Sequence, residues 1–214
     1  STIHPNKTTI LTLAIPQGEY TVSQLYQSCR IFPTAPMLVY KTDIIKAHAI
    51  RFNSAIKCGE VYDFTVSFLE YAHTIQVIHT TFYNYIMRSS SATHAPNYKA
   101  DMTVLNLLDH FNYIQHDWAG SPAFLATAFR MVCAFTYNKY LRLNMTDQQT
   151  IDTLTAIFNA PSFQDLLHRL SKCKNLSLRD KLMSRYIATV PVKGGYIFFT
   201  RLYHLAQQLR NIFH

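Results

Sequence analysis

The amino-acid sequence predicts an all-α protein, a compact fold of about eight helices preceded by an extended N-terminal arm. Three observations carry this expectation. Only 5 of 214 residues are glycine, about a third of the usual share, too few for a β-sandwich or a Gly-punctuated α/β fold. Hydrophobic residues make up 49% and aromatics 14% against 15% charged, which excludes intrinsic disorder and a charge-patterned coiled coil. Apolar residues also recur at helical spacing, most continuously at Val61, Phe64, Phe68, Tyr71, Ile75, Ile78, Phe82 and Ile86.

Taken in chain order, Thr8 to Ile15 and Met37 to Tyr40 read as short extended pieces, the first inside an arm that runs from Ser1 to about Pro16. Between them, Thr21 to Arg30 reads as a helix followed by a Pro33/Pro36 turn. A further helix from Thr42 to Lys57 would carry Ile44, Ile45, Ile50 and Phe52. The long stripe predicts one helix over 60–88, bounded by Cys58-Gly59 and Ser89-Ser90-Ser91. A strand is the local rival there, because Tyr62, Phe64, Val66 and Phe68 alternate with polar residues, but the alternation stops at Phe68 while the helical stripe runs on. Ser89 to Tyr98 lacks charge and periodicity, so 89–98 reads either as a linker between lobes 1–88 and 99–214 or as one long surface loop on a single bundle.

The second half is punctuated by capping residues, whose side-chain oxygens satisfy the free amides of a first helical turn. Asp101 opens a helix with Leu105, Leu108 and Phe111 inward. Ser121-Pro122 opens the next, which carries Phe124, Leu125, Ala128, Phe129, Val132, Phe135 and Tyr140. Thr146 with Gln149, Ser162 with Asp165, and Ser177 with Asp180 match the Ser/Thr-x-x-acid or amide pattern. They introduce Ile151-Leu154-Ile157-Phe158, then Leu166-Leu167-Leu170, then Leu182-Met183-Tyr186-Ile187. A last helix follows Gly194-Gly195 with Phe198, Leu202, Leu205, Leu209 and Ile212 on its apolar side.

No reaction is named by any motif. A Gly-rich phosphate loop, a dinucleotide fingerprint and a GxSxG elbow are all missing. The ten histidines include no HExxH, and His73/His79 and His110/His116 are six apart, which turns each pair to different sides of a helix. Neighbours such as Asp109-His110 and His116-Asp117 likewise diverge, and acidic residues are too scarce for a visible carboxylate site. The expectation is therefore a non-enzymatic protein with no catalytic residue, metal or cofactor. Cys29, Cys58, Cys133 and Cys173 form no CxxC pair and read as buried free thiols of a reducing compartment. The uncharged run Tyr71 to Met87 carries His73, Gln76, His79 and Asn84, so no membrane span is expected. With no signal-peptide pattern at the start, the expected location is intracellular, cytoplasmic or nuclear, a virion included.

Charge is the uneven feature. The formal net charge is +8, yet residues 1–165 hold eleven basic and eleven acidic residues. The whole excess sits in 166–214, where Arg169, Lys172, Lys174, Arg179, Lys181, Arg185, Lys193, Arg201 and Arg210 face Asp180 alone. Lys181 and Arg185 are a like-charged i,i+4 pair, which is easier to tolerate when an anion neutralises it. These nine side chains are the candidate nucleic-acid-binding residues. Tyr186, Tyr196, Phe198, Phe199 and Tyr203 interleave with them and suit either base stacking or a core. The function expected is a nucleic-acid-binding structural protein of nucleoprotein or coat type, suited to a viral origin. It would package a strand through phosphate contacts, with single-stranded RNA favoured over DNA, and would self-associate, most simply through its arm. The alternative is a helical interaction module whose basic surface receives an acidic or amphipathic partner.

Overall fold

The computed structural model of the chain describes residues 15–28, 38–57, 59–80, 102–142, 145–198 and 200–201. They form a mostly helical fold with one two-stranded sheet. The first elements are strand β1 (Gly18–Thr21), helix α1 (Val22–Ser28), helix α2 (Thr42–Ala47), helix α3 (Glu60–Leu69) and strand β2 (Thr74–Val77). Helices α4 (Val104–Tyr113), α5 (Pro122–Phe135), α6 (Tyr137–Arg142), α7 (Gln148–Asn159), α8 (Pro161–Lys172) and α9 (Leu178–Thr189) follow, with a 3-10 turn at Asp117–Gly120. Residues 192–198 are helical again. One buried cluster takes side chains from both sides of residues 81–101, from Val22, Leu25 and Tyr26 through Tyr62, Val66 and Leu69 to Phe111, Phe129, Leu154 and Tyr196. Most of the N-terminal arm, and the proposed linker 89–98, lie outside the described residues.

The expected helix over 60–88 is corrected: α3 ends at Leu69, and β2 begins five residues later. Thr74, Ile75 and Val77 are β-branched and fit an extended chain better than a helix. They find a partner in β1, antiparallel, with Gly18 opposite Val77 and Thr21 opposite Thr74. The His79 ring extends the pairing by bonding the Ile15 carbonyl at 2.7 Å, and the His79 N–H donates to the Gln17 side chain. The stripe misled because α3 is buried on two sides. Tyr62, Val66 and Leu69 enter the main cluster, while Phe64 and Phe68 pack with Ile50 in a smaller one.

The helix expected over Thr42–Lys57 also stops early, at Ala47. Ala49 takes a left-handed conformation at φ 50°. Its N–H donates to the Lys46 carbonyl (3.3 Å) and the next N–H, of Ile50, reaches back to the Ile45 carbonyl (3.0 Å), the two bonds of a Schellman stop. Glycine ordinarily fills this position. The chain then turns so that Ile50 is buried and Phe52 stays exposed, stacked on Phe64.

α1 is opened by a reciprocal cap between Thr21 and Gln24. The Thr21 hydroxyl accepts from the Gln24 N–H at 3.2 Å and the Gln24 side chain accepts from the Thr21 N–H at 2.9 Å. α5 starts as expected at Pro122, with the Ser121 hydroxyl accepting from the Phe124 N–H. It does not continue to Tyr140: Thr136 leaves helical geometry, its hydroxyl donates to the Val132 carbonyl, and α6 starts afresh. α7 is capped by Asp147 instead of Thr146, because the carboxylate accepts from both the amide and the hydroxyl of Thr150 at 2.9 Å. α8 starts at Pro161 without a side-chain cap, so Ser162 is not its capping residue.

His110 on α4 joins α3 to α4. Its Nδ1 lies 2.6 Å from the buried carboxylate of Asp63 and its Nε2 3.3 Å from Glu70, two turns along α3. Burial pulls the imidazole pKa down, but bonding and attraction from Asp63 and then Glu70 outweigh it, so the value lies above the ordinary 6.5. A raised folded-state pKa contributes stability that is complete below about pH 6.5 and is lost as pH rises through the folded value. The urea midpoint should therefore fall on going from pH 6.5 to 8.5, and by less in His110→Gln; parallel profiles would contradict the clamp. Ala49→Gly should raise unfolding stability by about 0.5–1 kcal/mol in urea titration, since it relieves the left-handed alanine.

Candidate nucleic-acid interface

The basic segment begins on α8, an amphipathic helix held down by Phe163, Leu166, Leu167 and Leu170, with Arg169 and Lys172 in its last turn. α8 stops at Cys173, the chain turns through Lys174 and Asn175, and Ser177 starts α9. The Ser177 hydroxyl accepts from the Asp180 N–H at 3.1 Å, as the cap pattern predicts, and also donates to the Asp180 carboxylate at 2.6 Å. α9 sits across α5 and α8 on a narrow contact, for only Asp180 and Ile187 are buried along its length.

Asp180 decides the sign of the surface. It is 5% exposed, with its carboxylate 3.7 Å from the Arg130 guanidinium on α5. The one acid of residues 166–214 is thus turned inward. Lys172, Lys174, Arg179, Lys181 and Arg185 are exposed around the corner, and Lys193 and Arg201 are exposed farther along the chain. The Lys181 ammonium bends back to donate to the Lys174 backbone carbonyl at 2.9 Å, which holds it against the turn between α8 and α9. The corner also includes the N-terminus of a twelve-residue helix, whose first-turn amides add positive potential.

Arg169 is placed differently from its neighbours. Its guanidinium donates to the Asn112 side chain at 3.2 Å and the Ala119 carbonyl at 2.9 Å, with Asp165 3.8 Å away. It ties α8 to the end of α4 and to the 3-10 turn. Arg210 lies outside the described residues.

The apolar residues of this region depart from the expectation. Leu182, expected inward, is 61% exposed, as is Leu178 one turn earlier at 73%. Phe198 is 62% exposed although its stripe placed it in the core; Leu202, Leu205, Leu209 and Ile212 lie outside the described residues. Tyr196 is fully buried and edge-on to Tyr137, so it cannot stack on a base. Tyr186 is half-buried, and the side chains of Phe199 and Tyr203 lie outside the description. The last helical segment begins after Pro191 instead of after the glycine pair. Gly195 lies inside it, where a Cβ would overlap the Tyr186 hydroxyl and meet Val190 Cγ1 at 2.8 Å, so no larger residue fits without a shift.

Burial, and then the nearby Asp180 charge, push the Cys133 thiol up to about 12, which keeps it protonated, and burial also raises Cys173. Among the described residues no group of three or more His, Cys, Asp or Glu is placed to hold a metal ion. The His110 arrangement was invisible to spacing, because its two acids stand 47 and 40 positions away. No helix among the described residues is long and apolar enough to cross a membrane.

If Asp180 anchors α9 through its charge, Asp180→Asn should lower unfolding stability by about 1–2 kcal/mol, less than a wholly buried pair because Arg130 is partly exposed. Urea unfolding at pH 7 measures this, and an unchanged midpoint would show that the charge contributes nothing. Compared with known proteins, the chain matches no family model, no curated protein and no solved structure.

Proposed function

We propose that this protein binds nucleic acid without sequence-reading chemistry, as a structural component of nucleoprotein or coat type that packages a strand and self-associates. The observation that carries the proposal is the inward turn of Asp180, which leaves cations as the only charged side chains on the outside of 172–185. A solvated helix usually mixes signs, because like charges at i,i+4 repel. Here Lys181 and Arg185 stand four apart with Arg179, Lys172 and Lys174 beside them. Phosphates along a strand neutralise such a set and release counterions when they do. Exposed cations beside an exposed Phe198 suit an unpaired strand, with single-stranded RNA favoured over DNA.

A second reading is favoured by one observation. Leu178 and Leu182 stand exposed four residues apart among the same cations, and phosphate has no use for them. A partner helix with an apolar stripe and acidic flanks would cover both.

The test replaces Lys172, Lys174, Lys181 and Arg185 with Gln and follows binding of a labelled single-stranded oligonucleotide by anisotropy across salt. Each lost phosphate contact should flatten the log K against log salt slope by about 0.7, and affinity should fall for all sequences alike. An unchanged slope and affinity would overturn the phosphate assignment and leave the acidic-helix reading.

A further inference from the structure

α9 turns one side of its twelve residues to the core and the opposite side to solvent, and the solvent side is not wholly polar. With about 100° between successive residues, Leu178 stands opposite the buried Ile187 and Leu182 opposite the buried Asp180. The two leucines form the crest of the helix, one turn apart and mostly exposed. Lys181 and Arg179 lie about 80° to either side of that crest, and Arg185 follows Leu182 within one turn. Lys172 and Lys174 carry the positive charge past the N-terminal end of the helix, and all five cations are exposed. No acid shares this outer side: Asp180 is held inside against Arg130, and Asp165 on α8 stands 3.8 Å from Arg169.

A single exposed leucine needs no explanation, but a pair that crowns a cationic helix fits a partner that takes hydrocarbon and anion together. A nucleic-acid strand supplies the anion and leaves the crest in water. A protein partner must supply a groove shaped to the crest. The surface of a bilayer that contains anionic phospholipid needs no such shape. Its acyl boundary takes the leucines, and its head groups take the cations, whose long side chains reach outward from both flanks. α9 is about 18 Å long, so it would lie along a bilayer rather than across it. We propose that the outer side of α9 is a peripheral membrane-binding surface, which lays Leu178 and Leu182 into the head-group region of an anionic phospholipid bilayer while the flanking cations meet lipid phosphates. This is a second binding activity of the basic corner. It uses the two leucines, which phosphate binding does not, and can therefore be tested apart from the nucleic-acid reading.

Co-sedimentation of the intact chain with sucrose-loaded vesicles, at about 0.1 M salt, is the test. Wild type should partition onto phosphatidylcholine vesicles that contain about one third phosphatidylserine, and not onto phosphatidylcholine alone. Leu178→Gln combined with Leu182→Gln should weaken that partitioning about tenfold and leave affinity and salt slope for a single-stranded oligonucleotide unchanged. Both positions are exposed, so the change spares the core. Replacing Lys172, Lys174, Lys181 and Arg185 with Gln should weaken partitioning by about fivefold for each cation removed. Leu182→Trp places a reporter on the crest, whose emission should shift to the blue on anionic vesicles, while the one native tryptophan, Trp118, is buried and stays silent. Wild type that ignores anionic vesicles would overturn the proposal and leave the crest to a protein partner. Partitioning that the double leucine variant retains in full, or a Leu182→Trp emission that does not move, would overturn it as well. Vesicle binding without any oligonucleotide binding would support the membrane surface and sink the nucleic-acid reading instead.

Discussion

Helix α5 is the member on which the other helices depend. Phe124, Leu125, Ala126, Ala128, Phe129, Val132 and Cys133 bury most of its circumference, and α1, α4, α6, α8 and α9 all touch it. A helix buried this far can present few polar groups, since each would need an internal partner. Arg130 is the charged residue of α5; its Nε donates to the Ala126 carbonyl at 3.0 Å, and the Asp180 carboxylate pairs with it at 3.7 Å. That pairing sets which side of α9 faces the core, and therefore which side chains remain outside.

The placement has an energetic logic. α9 buries little apolar surface, so its position rests on a cap, an ion pair and Ile187 more than on a hydrophobic stripe. Burial of Leu178 and Leu182 would have stabilised the isolated chain by roughly 1.5–3 kcal/mol each. Turning the helix by the half-turn required would instead bring Asp180 to the surface and carry basic side chains toward α5. The fold keeps these leucines and cations outside and the acid inside at some expense in stability.

Some features that depend on neighbouring residues were legible in the sequence, although the Thr146 and Ser162 caps were not among them. The Ser121-Pro122 start, the Ser177-Asp180 cap and the Leu166-Leu167-Leu170 face are each decided within one or two turns. The charge asymmetry was equally legible, because it is a matter of composition. Features set across the chain were not. β2 exists because β1, 56 residues earlier, offers an edge to Thr74–Val77, and no periodicity in either segment records that pairing. His110 meets Asp63 and Glu70 only once α3 and α4 have packed. Ala49 holds a conformation that alanine seldom signals, and Gly195 is small for the sake of Tyr186 rather than to break a helix. The Thr21-Gln24 cap marks the strand-to-helix join at residue 21.

The central claim is that one face of the molecule, the outside of the α8–α9 corner, meets the phosphates. Lysine acetylation with mass-spectrometric readout, with and without a saturating single-stranded oligonucleotide, tests it on the unaltered chain. Lys172, Lys174, Lys181 and Lys193 should be protected several-fold, while Lys41 and Lys46, exposed on and beside α2, should label equally in both states. Equal labelling of all six, or protection confined to Lys41 and Lys46, would contradict the account.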